Sequence, residues 1–280
     1  MSSVREKLVN VKHKSKFLTY LWYLYRQPQF KKEEKKLAHE TELRREGKQD
    51  ERYCRIKEYK GIHSGERCFI IATGLSLTIH DLELLKNECT FGMNSICKLY
   101  NQTDWRPTYY GVQDANIYEK MEKELSSCYG DKNNLFVSSS ISEKFDTPKC
   151  WTVFPYDFAY HDNQLEIEKY FAEFSDNSYA IVYDGYSITY SLIEIAVYMG
   201  FKEIYLLGTD CSYKRGAKNH IVESGNDDKN EEKNYEKMVV GYQCAKEYAD
   251  GHGIKIVNCT RGGMLEVFSR ENLEDVLARK

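Results

Sequence analysis

Proline is scarce in this chain, at 4 of 280 residues, while tyrosine is abundant, at 23. That balance favours ordered, amphipathic surfaces over disordered linkers. No apolar run approaches the ~20 residues needed to span a bilayer as a helix. None of the nine cysteines forms a CxxC pair, which excludes a zinc ribbon or a thioredoxin-like centre. There is no HExxH, HxxxH or DxD metal motif, and the acidic pairs Asp227-Asp228 and Glu231-Glu232 read as solvated loop charge. Neither a full GxGxxG nor a GxxxxGK[ST] pattern occurs, which disfavours a standard dinucleotide enzyme or a P-loop NTPase. Charge of one sign is also missing: 40 Lys and Arg face 43 Asp and Glu. The balance argues against a dedicated nucleic-acid binder, although local patches can still matter. An odd number of scattered cysteines, without a signal-like leader, is expected of a reducing cytoplasm.

A chain of 280 residues can bury a large core. From Gly65 onward it alternates short apolar runs with helix-like segments. The predicted strands are 68–73, 89–93, 108–112, 135–138, 152–154, 180–183, 203–207 and 255–258. The predicted helices are 77–85, 115–125, 187–199 and 233–249. Short β-branched or apolar runs bounded by turn residues suit a buried parallel sheet. The expected fold class is α/β: a doubly wound, mostly parallel Rossmann-like sheet with an N-terminal helical extension. Two domains are expected, a basic and aromatic helical arm over 1–62 and a nucleotide-donor-binding domain over 63–280.

The arm is rich in Lys and Arg and carries the aromatic run Phe17 to Tyr25. It reads as two helices broken near Gln27-Pro28. One reading packs its aromatic side on the main domain. The other makes residues 1–36 a basic amphipathic membrane-surface or partner helix, with Lys12, His13, Lys14, Lys16, Arg26, Lys31 and Lys32 around the aromatic core.

The most informative run is Cys68 to Leu77, a buried strand leading into Thr73-Gly74-Leu75-Ser76. Gly74 lets a ligand approach the backbone, and Ser76 offers a hydroxyl and an N–H to an anion. Other predicted strands also end in polar residues: Asn94, Gln113-Asp114, Asp184-Gly185 and Gly208-Thr209-Asp210. In a parallel sheet these gather on one rim, where such folds bind ligands. Each also has a purely structural reading, as a cap or turn. Ser187 caps the long helix that follows Gly185 and can present its N-terminus to an anion. The polar loop after Asp210 holds Tyr213, Lys214, Arg215 and Lys218, which could neutralise phosphate charge. His220 in the same loop is the candidate general base, with His161 as second choice.

The run Gly65 to Leu77 resembles the G-x-G-P-S-L opening of the MptE-like family, named for an archaeal 6-hydroxymethylpterin diphosphokinase. It also resembles the opening of the bacterial CMP-sialic-acid-dependent sialyltransferases. Ala196 to Asp210 is similar to their helix–Gly-aromatic-Lys-Glu-Ile-Tyr-Leu-x-Gly-x-Asp block, and Phe91-Gly92-Met93-Asn94 to their second strand. The likeness covers about 65 to 260. Ala72 stands where a turn glycine is usual and Leu75 where proline is. Aligning His220 on the first histidine of the sialyltransferases' His-x-x-x-His puts Ser224 at the catalytic second position.

The resemblance implies a nucleotide-activated donor contacted by Gly74, Ser76, Asn94 and Asp210, with Tyr213 holding the leaving phosphate and a histidine of the following loop as base. The strand-end reading adds Thr73, Asp114, Gly185, Ser187 and Gly208 as candidate donor contacts, and the polar loop supplies His220 as the base and Lys218 beside Tyr213 for the departing charge. The expected activity is a nucleotide-sugar-dependent, sialyltransferase-like glycosyl transfer in surface polysaccharide or glycolipid synthesis, with a glycan or glycolipid acceptor. No metal site and no cofactor is expected for it. One alternative is an MptE-like diphosphokinase moving pyrophosphate from ATP to a pterin-like alcohol, with Mg²⁺ held by Asp114, Asp184 and Asp210. Another is a non-catalytic nucleotide-binding scaffold. The expected location is cytoplasmic, with peripheral contact at the inner membrane face and self-association as further candidate partnerships.

Overall fold

The structure is a computed structural model that describes residues 16–157, 170–212, 218–222 and 234–279. The chain divides into two compact units. One holds helix α1 (Lys16–Arg45); the other runs from Asp50 to Tyr156 and from Ala172 onward and holds the sheet.

Helix α1 is continuous through Pro28, so the expected break at Gln27-Pro28 does not occur. A proline in a helix interior removes one backbone hydrogen bond and costs about 3 kcal/mol. Here strong helix formers follow it, Lys31 to Leu37, and Trp22 and Phe30 are buried on either side of it.

In the second unit eight strands form one parallel sheet. They are β1 (Arg67–Ile71), β2 (Thr90–Met93), β3 (Tyr109–Val112), β4 (Leu135–Ser138), β5 (Thr152–Phe154), β6 (Glu203–Leu207), β7 (Lys255–Asn258) and β8 (Ser269–Arg270). Their spatial order is β8-β7-β6-β1-β2-β3-β4-β5. Every adjacent pair runs parallel. The chain thus builds outward from β1 to β5, then returns to lay β6 on the other side of β1. The reversal falls between β1 and β6, whose register runs from Arg67↔Glu203 to Ile71↔Leu207. This is the doubly wound α/β class expected from the sequence, with helices on both faces.

Both faces of the central strands β1 to β4 are buried, as covered parallel strands require. Phe69 and Ile71 enter a core with Leu82, Tyr118, Met121, Leu125, Val257 and Val276. Their neighbours Cys68 and Ile70 point to the opposite side and are equally buried. That side is covered by α5, introduced below. Helices α2 (Ile79–Leu84), α3 (Ala115–Tyr129) and α4 (Ser139–Ser142) follow β1, β3 and β4. Helices α5 (Ile188–Tyr198), α6 (Asn234–Gly251) and α7 (Leu273–Leu277) come later in the chain. Leu192 of α5 lies so close over β3 that a Cβ at Gly111 would come within 2.7 Å of it.

Two expectations need correction. Only Val182–Tyr183 of the predicted strand 180–183 is extended, and it lies outside the large sheet. The Ala180 and Ile181 N–H groups both donate to the Asn177 carbonyl, at 2.8 and 3.1 Å, and this turn removes them from pairing. Strand β8 was not expected: it is two residues long, and both are exposed.

Candidate functional site

The loops after β1 and β6 leave the sheet at the point where strand order reverses, and they are tied to each other. The Gly74 N–H donates to the Gly208 carbonyl at 2.8 Å. The Asp210 carboxylate accepts the Ser76 N–H at 3.0 Å and also the Ser76 hydroxyl. A Cβ at Gly74 would overlap the Gly208 carbonyl oxygen and stand 2.6 Å from Asp210 Cγ. Gly208 itself has φ +63°, and a Cβ there would come 2.6 Å from the Ala72 carbonyl oxygen. Glycine at both positions is what lets the two loops approach this closely.

Between them opens a pocket of about 460 Å3, counting the part continuous with solvent. Its floor is Ala72, Thr73, Gly74 and Asn94 from the ends of β1 and β2, with Gly208 to Ser212 after β6. Ser187, Ile188 and Thr189 at the start of α5 face it, as do Asn219, His220 and two residues of α6, Met238 and Tyr242. Ser187 caps α5, its hydroxyl accepting from the Thr189 N–H at 3.2 Å. The pocket therefore receives the positive end of a helix.

His220 is brought to the pocket by a short backbone pairing with Gly74. The Ile221 N–H donates to the Thr73 carbonyl at 2.8 Å, and His220 Nδ1 lies 3.0 Å from Thr73 Oγ1. Thr73 thus grips both the backbone and the ring of this segment. One step further, the Ser95 hydroxyl donates to the Val222 carbonyl at 2.7 Å.

Two lining atoms are buried with no hydrogen-bond partner among the described residues, Asn94 Oδ1 and Thr209 Oγ1. A buried polar atom without a partner costs ~1–3 kcal/mol, so a ligand group that satisfies it gains that much. Backbone conformation singles out the same place. The non-glycine residues with left-handed φ among those described are Asn94 (49°), Tyr186 (65°) and Cys211 (50°). Two of them line the pocket and the third precedes Ser187. Such strain concentrates at functional sites. Burial, helped by the Asp210 charge, pushes the Cys211 thiol up to about 12, which disfavours its thiolate form.

Of the residues singled out in the sequence, Thr73, Gly74, Asn94, Ser187, Gly208, Asp210 and His220 meet in this pocket. Ser76 does not line it, since its hydroxyl and N–H are both directed at Asp210. Asp114 caps α3, accepting from Asn116 N–H at 2.6 Å. Gly185 sits against the Tyr190 ring, and Lys218 is exposed. Tyr213, His161 and the acidic pairs at 227–228 and 231–232 lie outside the described residues. Thr209, named with Gly208 and Asp210 at the strand end, also lines the pocket. Sequence reasoning missed Cys211, Asn219, Met238 and Tyr242 as lining residues. The α6 pair carries no signal beyond its i, i+4 spacing.

The rim carboxylates do not fit a shared metal site. Asp184 Oδ1 accepts from Gln113 Nε2 at 3.0 Å and from the Tyr156 hydroxyl at 2.6 Å. Asp114 is used as a cap and Asp210 as the Ser76 clamp. Among the described residues no three His, Cys, Asp or Glu side chains gather as a metal site.

An open, doubly wound α/β sheet with a polar pocket at its switch point places the fold in the Rossmann-like class, in which ligands bind at that point. A family model described as 6-hydroxymethylpterin diphosphokinase MptE-like matches residues 45–216, and the chain belongs to that family. The Maf glycosyltransferase of Magnetospirillum magneticum AMB-1 is similar in structure, at TM-score 0.44 and 16% identity over 79% of this chain. This chain spans 37% of that protein's length. The sialyltransferase CstII of Campylobacter jejuni, solved with cytidine-5'-monophosphate as a substrate analogue, is similar at TM-score 0.38 and 12% identity, over 74% of this chain and 85% of that one. No curated protein matches.

Proposed function

We propose that this protein is a transferase that binds a nucleotide-activated donor in the pocket between the β1 and β6 loops, and that glycosyl transfer is its reaction. The observation that carries this reading is His220, held by Thr73 on a pocket whose lining contains two buried, unsatisfied polar atoms. With Nδ1–H donating to Thr73 Oγ1, the other ring nitrogen, Nε2, carries the lone pair. It takes the proton of the acceptor hydroxyl. The hydroxyl oxygen then bonds to the sugar carbon of the donor as the bond from that carbon to the nucleotide phosphate breaks. The departing phosphate gains negative charge, which the N-terminus of α5 at Ser187 to Thr189 is oriented to stabilise. Lys218 and Tyr213 are the further candidates for that charge. A sialyltransferase-like donor and a polysaccharide or glycolipid acceptor remain the finer form of the proposal.

A second reading follows the family description: pyrophosphate transfer from ATP to a pterin-like alcohol. It requires Mg²⁺, and the separate engagements of Asp114, Asp184 and Asp210 favour the first reading over it.

Thermal unfolding against a panel of nucleotides and nucleotide sugars, with and without Mg²⁺, tests both. A ligand at 100 times its Kd stabilises by about 2.7 kcal/mol, a rise of roughly 5–10 °C in a protein of this size. The expected result is a metal-independent rise with CMP, CDP, UDP or GDP compounds. Product formation from the identified donor should then be lost in His220→Ala. A rise confined to ATP with Mg²⁺ would select pyrophosphate transfer. No rise with any nucleotide would leave a non-catalytic scaffold.

A further inference from the structure

The outer face of α1 carries a pattern that the donor pocket does not explain. Phe17, Tyr20, Leu21, Leu24 and Tyr25 stand at i, i+3, i+4, i+7 and i+8, and so form one stripe along the helix. All five are exposed, at 68, 52, 39, 46 and 44%. The opposite side holds Trp22 and Phe30, which are buried at 3 and 6% exposure. Five large apolar side chains on the outward side of a helix that already has a buried side call for a partner.

The same stripe continues beyond Pro28 with lysine. At 100° per residue, Lys31, Lys32 and Lys35 fall on the angular sector of Phe17, Tyr20 and Leu21. All three are exposed. Lys36, on the flank, is paired with Glu40 at 3.7 Å. An aromatic and leucine stripe followed along the axis by ammonium groups matches the cross-section of a bilayer surface. Tyrosine and leucine side chains enter the headgroup boundary, and lysines reach lipid phosphates. Crossing the bilayer is another matter: among the described residues no helix is long and apolar enough to do so.

We infer that the outer face of α1 docks on a membrane surface bearing anionic lipid, with Phe17, Tyr20, Leu21 and Leu24 inserted and Lys31, Lys32 and Lys35 on the headgroups. This surface stands independently of the chemistry at the pocket. It would hold the protein where an acceptor embedded in the same membrane is concentrated.

Vesicle co-sedimentation of the full chain tests it, with phosphatidylglycerol–phosphatidylcholine vesicles against phosphatidylcholine alone. Binding is expected to the anionic vesicles only and to weaken with salt. Phe17→Ser/Leu21→Ser/Leu24→Ser and Lys31→Glu/Lys32→Glu/Lys35→Glu should each lower it by about tenfold or more. These side chains are exposed, so circular dichroism and the unfolding temperature should match the parent protein and separate lost docking from lost fold. Equal binding to both vesicle types, binding to neither, or binding unchanged by the lysine reversal would overturn the inference. So would a parent protein that is dimeric and a serine variant that is monomeric, since the stripe would then be covered by a second copy.

Discussion

Replacing Gly74 by alanine adds one methyl group at the tightest point of the crevice. That methyl would overlap the Gly208 carbonyl oxygen and lie 2.6 Å from Asp210 Cγ and 2.8 Å from Asp210 Oδ1. The obstruction is backbone and a clamped carboxylate, so no side chain can rotate away. Overpacking of this kind costs about 1–3 kcal/mol. Separating the loops also weakens the bond from Gly74 N–H to the Gly208 carbonyl, about 1 kcal/mol more. The sum is about 2–4 kcal/mol, or a fall of roughly 5–15 °C in unfolding temperature for a protein of this size. The nucleotide-induced rise should vanish with it, because the same displacement moves Thr73 and therefore His220. Gly251→Ala is the companion measurement. A Cβ there meets nothing within 4 Å and sits in the last turn of α6, so it should leave stability unchanged or raise it by up to about 1 kcal/mol. Circular-dichroism melts of the three proteins, with and without nucleotide, decide the matter. A Gly74→Ala protein that melts and binds like the parent would show that the two loops accommodate the methyl group without moving.

Two further outcomes follow from named contacts. Thr73→Val keeps the shape but removes the hydroxyl beside His220 Nδ1, so kcat should fall about tenfold at unchanged donor KM, while Thr73→Ser restores it; equal rates for Val and Ser would mean that the hydroxyl does not orient the ring. Burial pushes the Glu194 carboxyl well above its ordinary value of 4.5, against the lowering effect of the Ser175 and Tyr183 N–H groups that donate to it at 2.6 and 2.7 Å. A raised carboxyl contributes stability that is full below 4.5 and is lost as pH rises toward its folded-state value. Urea unfolding across pH should therefore show the parent losing stability above pH 4.5 relative to Glu194→Gln, which cannot ionise; parallel curves would contradict the assignment.

The sheet was legible because β1, β4, β6 and β7 are short apolar runs with turn residues at both ends, a signal that survives in one sequence. The rim was legible for the same reason: parallel strands put Thr73, Asn94, Gly208 and Asp210 at one edge. What the sequence hid is which of two local readings wins, and which partners lie far away. Ser76 is held by Asp210, 134 positions on. For Asp114 the cap reading, open from its place before a helix, is the one the structure takes. At Ala180 a turn closed by Asn177 displaces the strand that the apolar run suggests. Pro28 reads locally as a break, yet the helix runs through it. His220 was chosen for its chemistry, and its contact with Thr73 spans 147 positions.

The return of the chain to β1 also has a consequence in time. β1 is an interior strand, with Cys68 to Ile71 fully buried, yet one of its two neighbours is β6. On a ribosome adding about 5–20 residues per second, the roughly 130 residues between Ile71 and Glu203 take on the order of ten seconds to appear. Throughout that interval β1 to β5 can pair among themselves while β1 offers a bare apolar edge, the kind of template that recruits strands from other chains. The architecture that makes the crevice therefore makes synthesis its most vulnerable moment, and nascent chains halted before Glu203 should aggregate or engage chaperones where the completed protein does not.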